Sequence, residues 1–183
     1  FILLTISVTS STVFATSIKI KKFPLNEKLP SNSVIRVFND KEGYMWFGTK
    51  DGLCRFDGYD IKVFRSSALT PGKLTNNEIQ CIAEDNQHKI WVGTLEGIEI
   101  IDKKNFSISH FKHELIDHER INSILVDTEG FIWIGTSSYG VIRIHPESGE
   151  TEHYNTDKNS PIVLPSNTLN NIYQDKSGRI WLS

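Results

Sequence analysis

The sequence predicts an all-β fold, and three observations carry that prediction. One phrase is written four times: Asp40-Lys-Glu-Gly-Tyr-Met-Trp-Phe-Gly-Thr-Lys-Asp-Gly52, Asp85-Asn-Gln-His-Lys-Ile-Trp-Val-Gly-Thr-Leu-Glu-Gly97, Asp127-Thr-Glu-Gly-Phe-Ile-Trp-Ile-Gly-Thr-Ser-Ser-Tyr-Gly140 and Asp175-Lys-Ser-Gly-Arg-Ile-Trp-Leu-Ser183. The tryptophans Trp46, Trp91, Trp133 and Trp181 stand 45, 42 and 48 residues apart, and Asp40, Asp85, Asp127 and Asp175 keep the same intervals. Each period is filled by short apolar runs and turn residues. A period of about 40–50 residues built this way signals a propeller blade rather than a helical solenoid. The 155 residues from Leu29 onward hold three such units and part of another. The reading is a β-propeller fragment of three four-stranded antiparallel blades plus the start of a fourth, an incomplete ring, since closed rings take about 4–8 blades.

Each blade can be read in order. Val34 and Val37, Ile79 and Ile82, Ile121 and Ile124, and Leu169 and Ile172 occupy matching places and mark a first, inner strand. The Asp that follows starts a tight turn, and Gly three residues later (Gly43, Gly130, Gly178) takes a positive φ that side chains avoid. His88 stands where the second copy should have Gly, so that turn is expected to be the most strained. Strand two follows as Tyr44–Thr49, Lys89–Thr94 and Phe131–Thr136, rich in the aromatic and β-branched types that fit a pleated surface. Gly48, Gly93 and Gly135 inside it mark places where a neighbour must come close. Third strands are expected at Leu53–Phe56, Ile98–Ile101 and Val141–Ile144, and fourth strands at Ile61–Phe64, Ser107–Phe111 and Glu150–Tyr154.

Boundaries follow from the period. Residues 1–15 read as the remnant of a secretory signal peptide, with an apolar run and a small-residue cleavage site after Ala15. Residues 16–28 alternate apolar and basic side chains and read as an N-terminal strand or linker. Blade 1 then spans 29–73, blade 2 spans 74–115, blade 3 spans 116–163, and a truncated blade 4 spans 164–183. Export to the periplasm is expected. Cys54 and Cys81 do not recur with the repeat, so they are read as unpaired thiols packed as small hydrophobes.

A formal net charge of −2 with 23% charged residues gives no basic excess for nucleic acid. His110, His113 and His118 cross from a fourth strand into a loop without a second ligand cluster and are read as solvated rather than metal-bound. The acidic turns lack the twelve-residue calcium pattern. No nucleophile elbow or phosphate-cradling glycine loop occurs. Because the carboxylates recur with every blade, no catalytic residue, metal or cofactor is expected. The four indoles are read as core, filling the space between adjacent blades. Recognition is assigned instead to residues that break the repeat in the turn between strands two and three: Lys50, Asp51, Leu95, Glu96, Ser138 and Tyr139. Tyr139 belongs to a one-residue insertion. In a propeller that turn shares a face with the inter-blade loops, at the ring entrance.

The motif Ile-x-x-Asp-x-x-Gly-x-Ile-Trp-Ile-Gly-Thr-x-x-Gly resembles the two-component regulator propeller repeat of bacterial hybrid two-component sensors, over about residues 29–183. His88, Ser183 and the extra residue at Tyr139 depart from it. The resemblance implies a periplasmic sensor region of a longer histidine kinase, anchored in the inner membrane through parts absent from this sequence. It further implies binding of an oligosaccharide or other small ligand, as a homodimer, with control of transcription and no nucleic-acid contact by this segment. A propeller lyase or hydrolase, and a non-catalytic protein-binding propeller, are the alternatives.

Overall fold

Short β-branched and aromatic runs separated by tight turns pair most readily with their chain neighbours, and the computed structural model shows three such meanders in sequence, followed by a hairpin. It describes residues 28–67, 72–145 and 147–183. The signal-peptide reading, nearly all of the 16–28 segment and the middle of the loop after blade 1 lie outside these residues. Blade 1 comprises β1 (Val34–Asn39), β2 (Met45–Thr49), β3 (Gly52–Phe56) and β4 (Ile61–Phe64). Blade 2 comprises β5 (Ile79–Glu84), β6 (Lys89–Thr94), β7 (Gly97–Asp102) and β8 (Ile108–Phe111). Blade 3 comprises β9 (Ile121–Val126), β10 (Ile132–Thr136), β11 (Val141–Ile144) and β12 (Thr151–Tyr154). A hairpin of β13 (Ile172–Gln174) and β14 (Ile180–Leu182) follows. Each four-stranded sheet is antiparallel with neighbours in chain order, so the all-β propeller fragment is the observed fold.

The first strands pack side by side, β1 on β5, β5 on β9 and β9 on β13, and form the inner wall of an arc. Close approach needs the glycines of strand two. A Cβ on Gly48 would stand 2.8 Å from Cγ2 of Ile79, and one on Gly93 would stand 2.8 Å from Cγ2 of Ile121. The next blade's first strand therefore occupies the space a side chain would need.

The repeated Asp does more than open a turn. Its Oδ2 accepts the indole N–H of the Trp six residues on, at 2.9 Å for Asp40 and Trp46, 2.8 Å for Asp85 and Trp91, 2.7 Å for Asp127 and Trp133, and 2.9 Å for Asp175 and Trp181. Its Oδ1 accepts backbone N–H groups two and four residues on, as Gln87 and Lys89 show for Asp85. Of the four turns, the second holds its positive φ on a non-glycine, His88, at 61°. That is the strain expected of it.

The first three indoles pack against the following blade. Trp46 lies in a cluster with Leu74, Ile79, Ile82 and Val92 of blade 2, and Trp91 in one with Ile116, Ile121 and Ile132. The expectation that all four are core needs correction at Trp181, which is 56% exposed, no blade among the described residues lying against it. At the other end Val37 is 58% exposed, whereas its counterpart Ile82 is buried by the preceding blade. Cys54 and Cys81 are free and buried, and burial pushes both thiols up to about 12.

Replacing Asp85 with Ala should cost roughly 3 kcal/mol, because it orphans a buried indole N–H together with two turn amides. Asp175→Ala, at the exposed hairpin, should shift the urea midpoint far less, since water replaces its bonds. Equal shifts for the two would refute the assignment.

Candidate functional site

The turns between strands two and three are shaped by a buried Thr. Thr49 Oγ1 donates to the Gly52 carbonyl at 2.8 Å and accepts from the Asp51 N–H, and Thr94 does the same for Gly97 and Glu96. Thr136 spans one residue more, donating to the Gly140 carbonyl and accepting from the Tyr139 N–H at 2.8 Å. Each closing glycine then donates its N–H to the loop leading into the next blade: Gly52 to Asn77, Gly97 to Glu119 and Gly140 to Asn167, at 2.8, 2.8 and 2.7 Å. Turns and inter-blade loops therefore share one face, the rim of the arc.

The expected recognition residues sit on that rim, one set per blade. Asp51 is held by Arg65, whose Nη2 lies 2.7 Å from Oδ2. Lys50, Glu96 and Ser138 are exposed, and their side chains make no hydrogen bond among the described residues. Tyr139 is exposed, and its carbonyl meets His153 Nε2. No hydrogen bond among the described residues joins one of these turns to another, so they form a rim rather than a closed pocket.

Sequence reasoning missed the inner mouth beside them. Arg120 donates from Nη2 to Gln80 Oε1 at 3.1 Å and from Nε to Asn122 Oδ1 at 3.0 Å. Gln80 donates to Glu78 at 3.0 Å, and Asn122 donates to the Leu169 carbonyl at 2.8 Å. Gln80 and Asn122 lie where the first strands shift register against strand two, a bulge that also falls at Ile35 in blade 1. The bulge re-aims these side chains along the rim. Their signal was the polar residue on either side of Ile79 and Ile121.

The opposite face carries a buried ion cluster joining blades 1 and 2. Lys103 Nζ donates to Glu84 at 2.8 Å and Asp40 at 3.4 Å and lies 3.5 Å from Glu42. Glu84 also accepts from the Lys41 N–H at 2.7 Å. Burial alone would raise Asp40, but the Trp46 indole, the Tyr44 and Glu42 amides and Lys103 hold its carboxyl below the ordinary value. Burial likewise works against Glu84 and Lys103, yet their mutual bond keeps Glu84 low and Lys103 high. Glu42, Gln87, His88, Lys103 and Lys104 line a cleft of about 450 Å³ here.

The histidines need one correction. His110 is only partly solvated: its Nδ1 lies 3.1 Å from buried Glu99 and its Nε2 lies 3.3 Å from Asp117. Glu99 in turn accepts from Thr75 Oγ1 at 2.6 Å. Among the described residues no three His, Cys, Asp or Glu side chains are placed to hold a metal ion.

The family described as two component regulator propeller matches residues 28–51, 73–96, 115–138 and 163–183, just over half of the chain. A histidine kinase of Formosa agariphila, named P4, is 43% identical over 47 residues, covering 26% of this chain and 3% of that protein. Among solved structures, the extracellular domain of a protein named as a hybrid two-component system of B. thetaiotaomicron aligns with a TM-score of 0.74 and 24% identity, over 84% of this chain and 22% of that one. A second such domain from the same organism gives 0.71 and 22%, over 84% and 20%. Virginiamycin B lyase of Staphylococcus aureus gives 0.65 and 17%, over 84% and 50%, a likeness of fold alone. The chain thus spans about a fifth of those extracellular domains.

The ion cluster sets a pH dependence with a definite sign. Its depressed carboxylates contribute stability that is complete above their ordinary values of 3.8 and 4.5 and is lost as pH falls through the lower folded values. Raised Lys103 contributes stability that is complete below 10.5 and is lost as pH rises through its higher folded value. The difference in urea midpoint between the native chain and Lys103→Met should therefore be constant from about pH 5 to 10 and shrink on both sides. A difference that grows in acid would contradict the assignment.

Proposed function

The chain belongs to the two component regulator propeller family, and from that premise we propose that it is the ligand-sensing part of a periplasmic sensor. The propeller is of the kind found in hybrid two-component systems. In this reading it detects carbohydrate breakdown products, and its occupancy biases a dimer of the full-length protein, anchored in the inner membrane, whose kinase controls transcription. Support for location comes from the sensor neighbours, which are extracellular domains, and support for a kinase partner domain comes from the Formosa relative.

The observation that carries the reading is the division of labour along the repeat. Residues that recur are spent on structure: Asp on its indole and turn, Thr on closing the rim turn, Gly on the seam to the next blade. Residues that vary, Lys50, Glu96, Ser138 and Tyr139, are the ones left exposed on one face of a rigid scaffold, where loops ordinarily carry recognition. No residue is assigned a catalytic role in this reading.

Calorimetric titration of the chain with a panel of neutral and acidic oligosaccharides tests it. Binding by at least one member is expected, and Lys50→Ala, Glu96→Ala and Tyr139→Ala should weaken it about tenfold each, the loss of ~1.4 kcal/mol of contact. Binding that none of the three variants alters would remove the rim from the site.

A further inference from the structure

The repeat supplies its own reference for what should fill the gap between blades. Opposite each Trp on strand two stands a fixed position of strand three: Arg55 opposite Trp46, Ile100 opposite Trp91, and Arg143 opposite Trp133. In blade 1 the Arg55 guanidinium lies 4.2 Å from the Tyr44 ring centre and 4.8 Å from that of Phe106, which reaches across from blade 2. In blade 3 the Arg143 guanidinium lies 3.4 Å over Phe131 and pairs with Glu152 at 2.8 Å. A stacked cation on an aromatic ring closes both places.

The seam between blades 2 and 3 lacks every part of that plug. Ile100 replaces the Arg, and Lys89 stands where Tyr44 and Phe131 stand in the other blades. The third loss is on blade 3. Phe106 lies two residues before Ile108, the partner of Ile101, and Gly149 lies two residues before Thr151, the partner of Ile144. Both hold a positive φ, 59° and 72°, so they are the same position of the same turn, with the ring deleted at Gly149.

The three changes coincide in space and leave a cleft of about 370 Å³ between blades 2 and 3, within the size range of small-ligand sites. Its apolar floor is Trp91, Ile100, Phe111 and Ile144, with the Trp91 and Phe111 ring centres 5.0 Å apart. Its rim offers donors. Among the described residues the Lys89 and Lys112 ammonium groups make no hydrogen bond or ion pair. His113 Nδ1 accepts from the Leu115 N–H and His145 Nδ1 from the Ser148 N–H, so each neutral ring carries its proton on Nε2. The one acid lining the cleft, Asp85, has both oxygens engaged by the turn and the Trp91 indole.

An apolar floor under two unpaired cations and two N–H donors, with no free carboxylate and with the neutral side chains of Gln87 and Thr151 beside them, selects an anion that has one apolar face and several hydroxyls. We propose that the cleft between blades 2 and 3 is a second binding site, distinct from the rim, for a carboxylated sugar of one or two residues. It rests on the carbohydrate reading only for the class of ligand, since its charge preference comes from the cleft itself.

Titration of the full chain with glucuronate, galacturonate and their disaccharides, against glucose, galactose and benzoate, decides it. The native chain should prefer the uronates at least tenfold over the neutral sugars and over benzoate. Ile100→Arg, which restores the side chain blades 1 and 3 already accommodate, should abolish uronate binding while the urea midpoint holds. Exposed Lys112→Gln should weaken it several-fold, and the three rim variants should leave it unchanged. Uronate binding that survives Ile100→Arg but falls in the rim variants overturns the cleft and leaves the rim reading standing. Neutral sugars or benzoate binding as tightly as uronates overturns the ligand class, and no saccharide binding overturns both readings.

Discussion

One carboxylate per blade carries two duties, and the rest of the structure depends on both. With one oxygen it gathers the amides of a tight turn, and with the other it takes the indole N–H six residues on. Neither duty alone requires Asp, because Ser or Asn closes such turns well. Only an acceptor with two oxygens, charged and without a competing donor, can bind the turn and the ring together. The bond fixes the direction in which each indole leaves its strand, and that direction aims the ring at the next blade. In blade 1 the same carboxylate also meets Lys103 from blade 2, so the turn, the ring and the seam between blades converge on a few oxygen atoms.

The strands and their order were legible because they depend on local chemistry. Period-two alternation, β-branched runs and turn residues specify a meander without reference to anything distant. Gly48, Gly93 and Gly135 were legible as points of close approach for the same reason. What escaped the sequence was decided between elements. The spacing of Asp and Trp was plain, yet the bond itself requires the turn to fold the chain back on the ring. Trp181 looks like its siblings and is exposed, because burial belongs to the neighbour rather than to the residue. His110 finds Glu99 across a hairpin, eleven residues away in the chain. The rim residues share a face with the inter-blade loops, as the topology led one to expect, whereas the inner mouth of Gln80, Arg120 and Asn122 depends on a bulge whose one trace in the sequence is the polar residue on either side of Ile79 and Ile121.

Departures from the repeat differ in consequence. His88 for Gly changes one turn and is absorbed there, as a left-handed φ. The substitutions at Lys89, Ile100 and Gly149 are separately unremarked in the sequence, two in one blade and one in the next. They act together because antiparallel register brings strand two, strand three and the neighbouring turn to one place. A tandem fold therefore makes its cavities by coincidence of small losses rather than by inserting new elements, and such cavities are found by comparing blades in register.

The joints between blades on the rim are made by main-chain groups: a glycine amide in one blade and a carbonyl in the loop of the next. Such a hinge pin is indifferent to the side chains around it. The exposed positions between the buried threonine and that glycine whose side chains bond nothing among the described residues, Lys50, Glu96 and Ser138, can be rewritten without loosening the arc. The surface those positions present could thus change one codon at a time, and each intermediate would keep its shape.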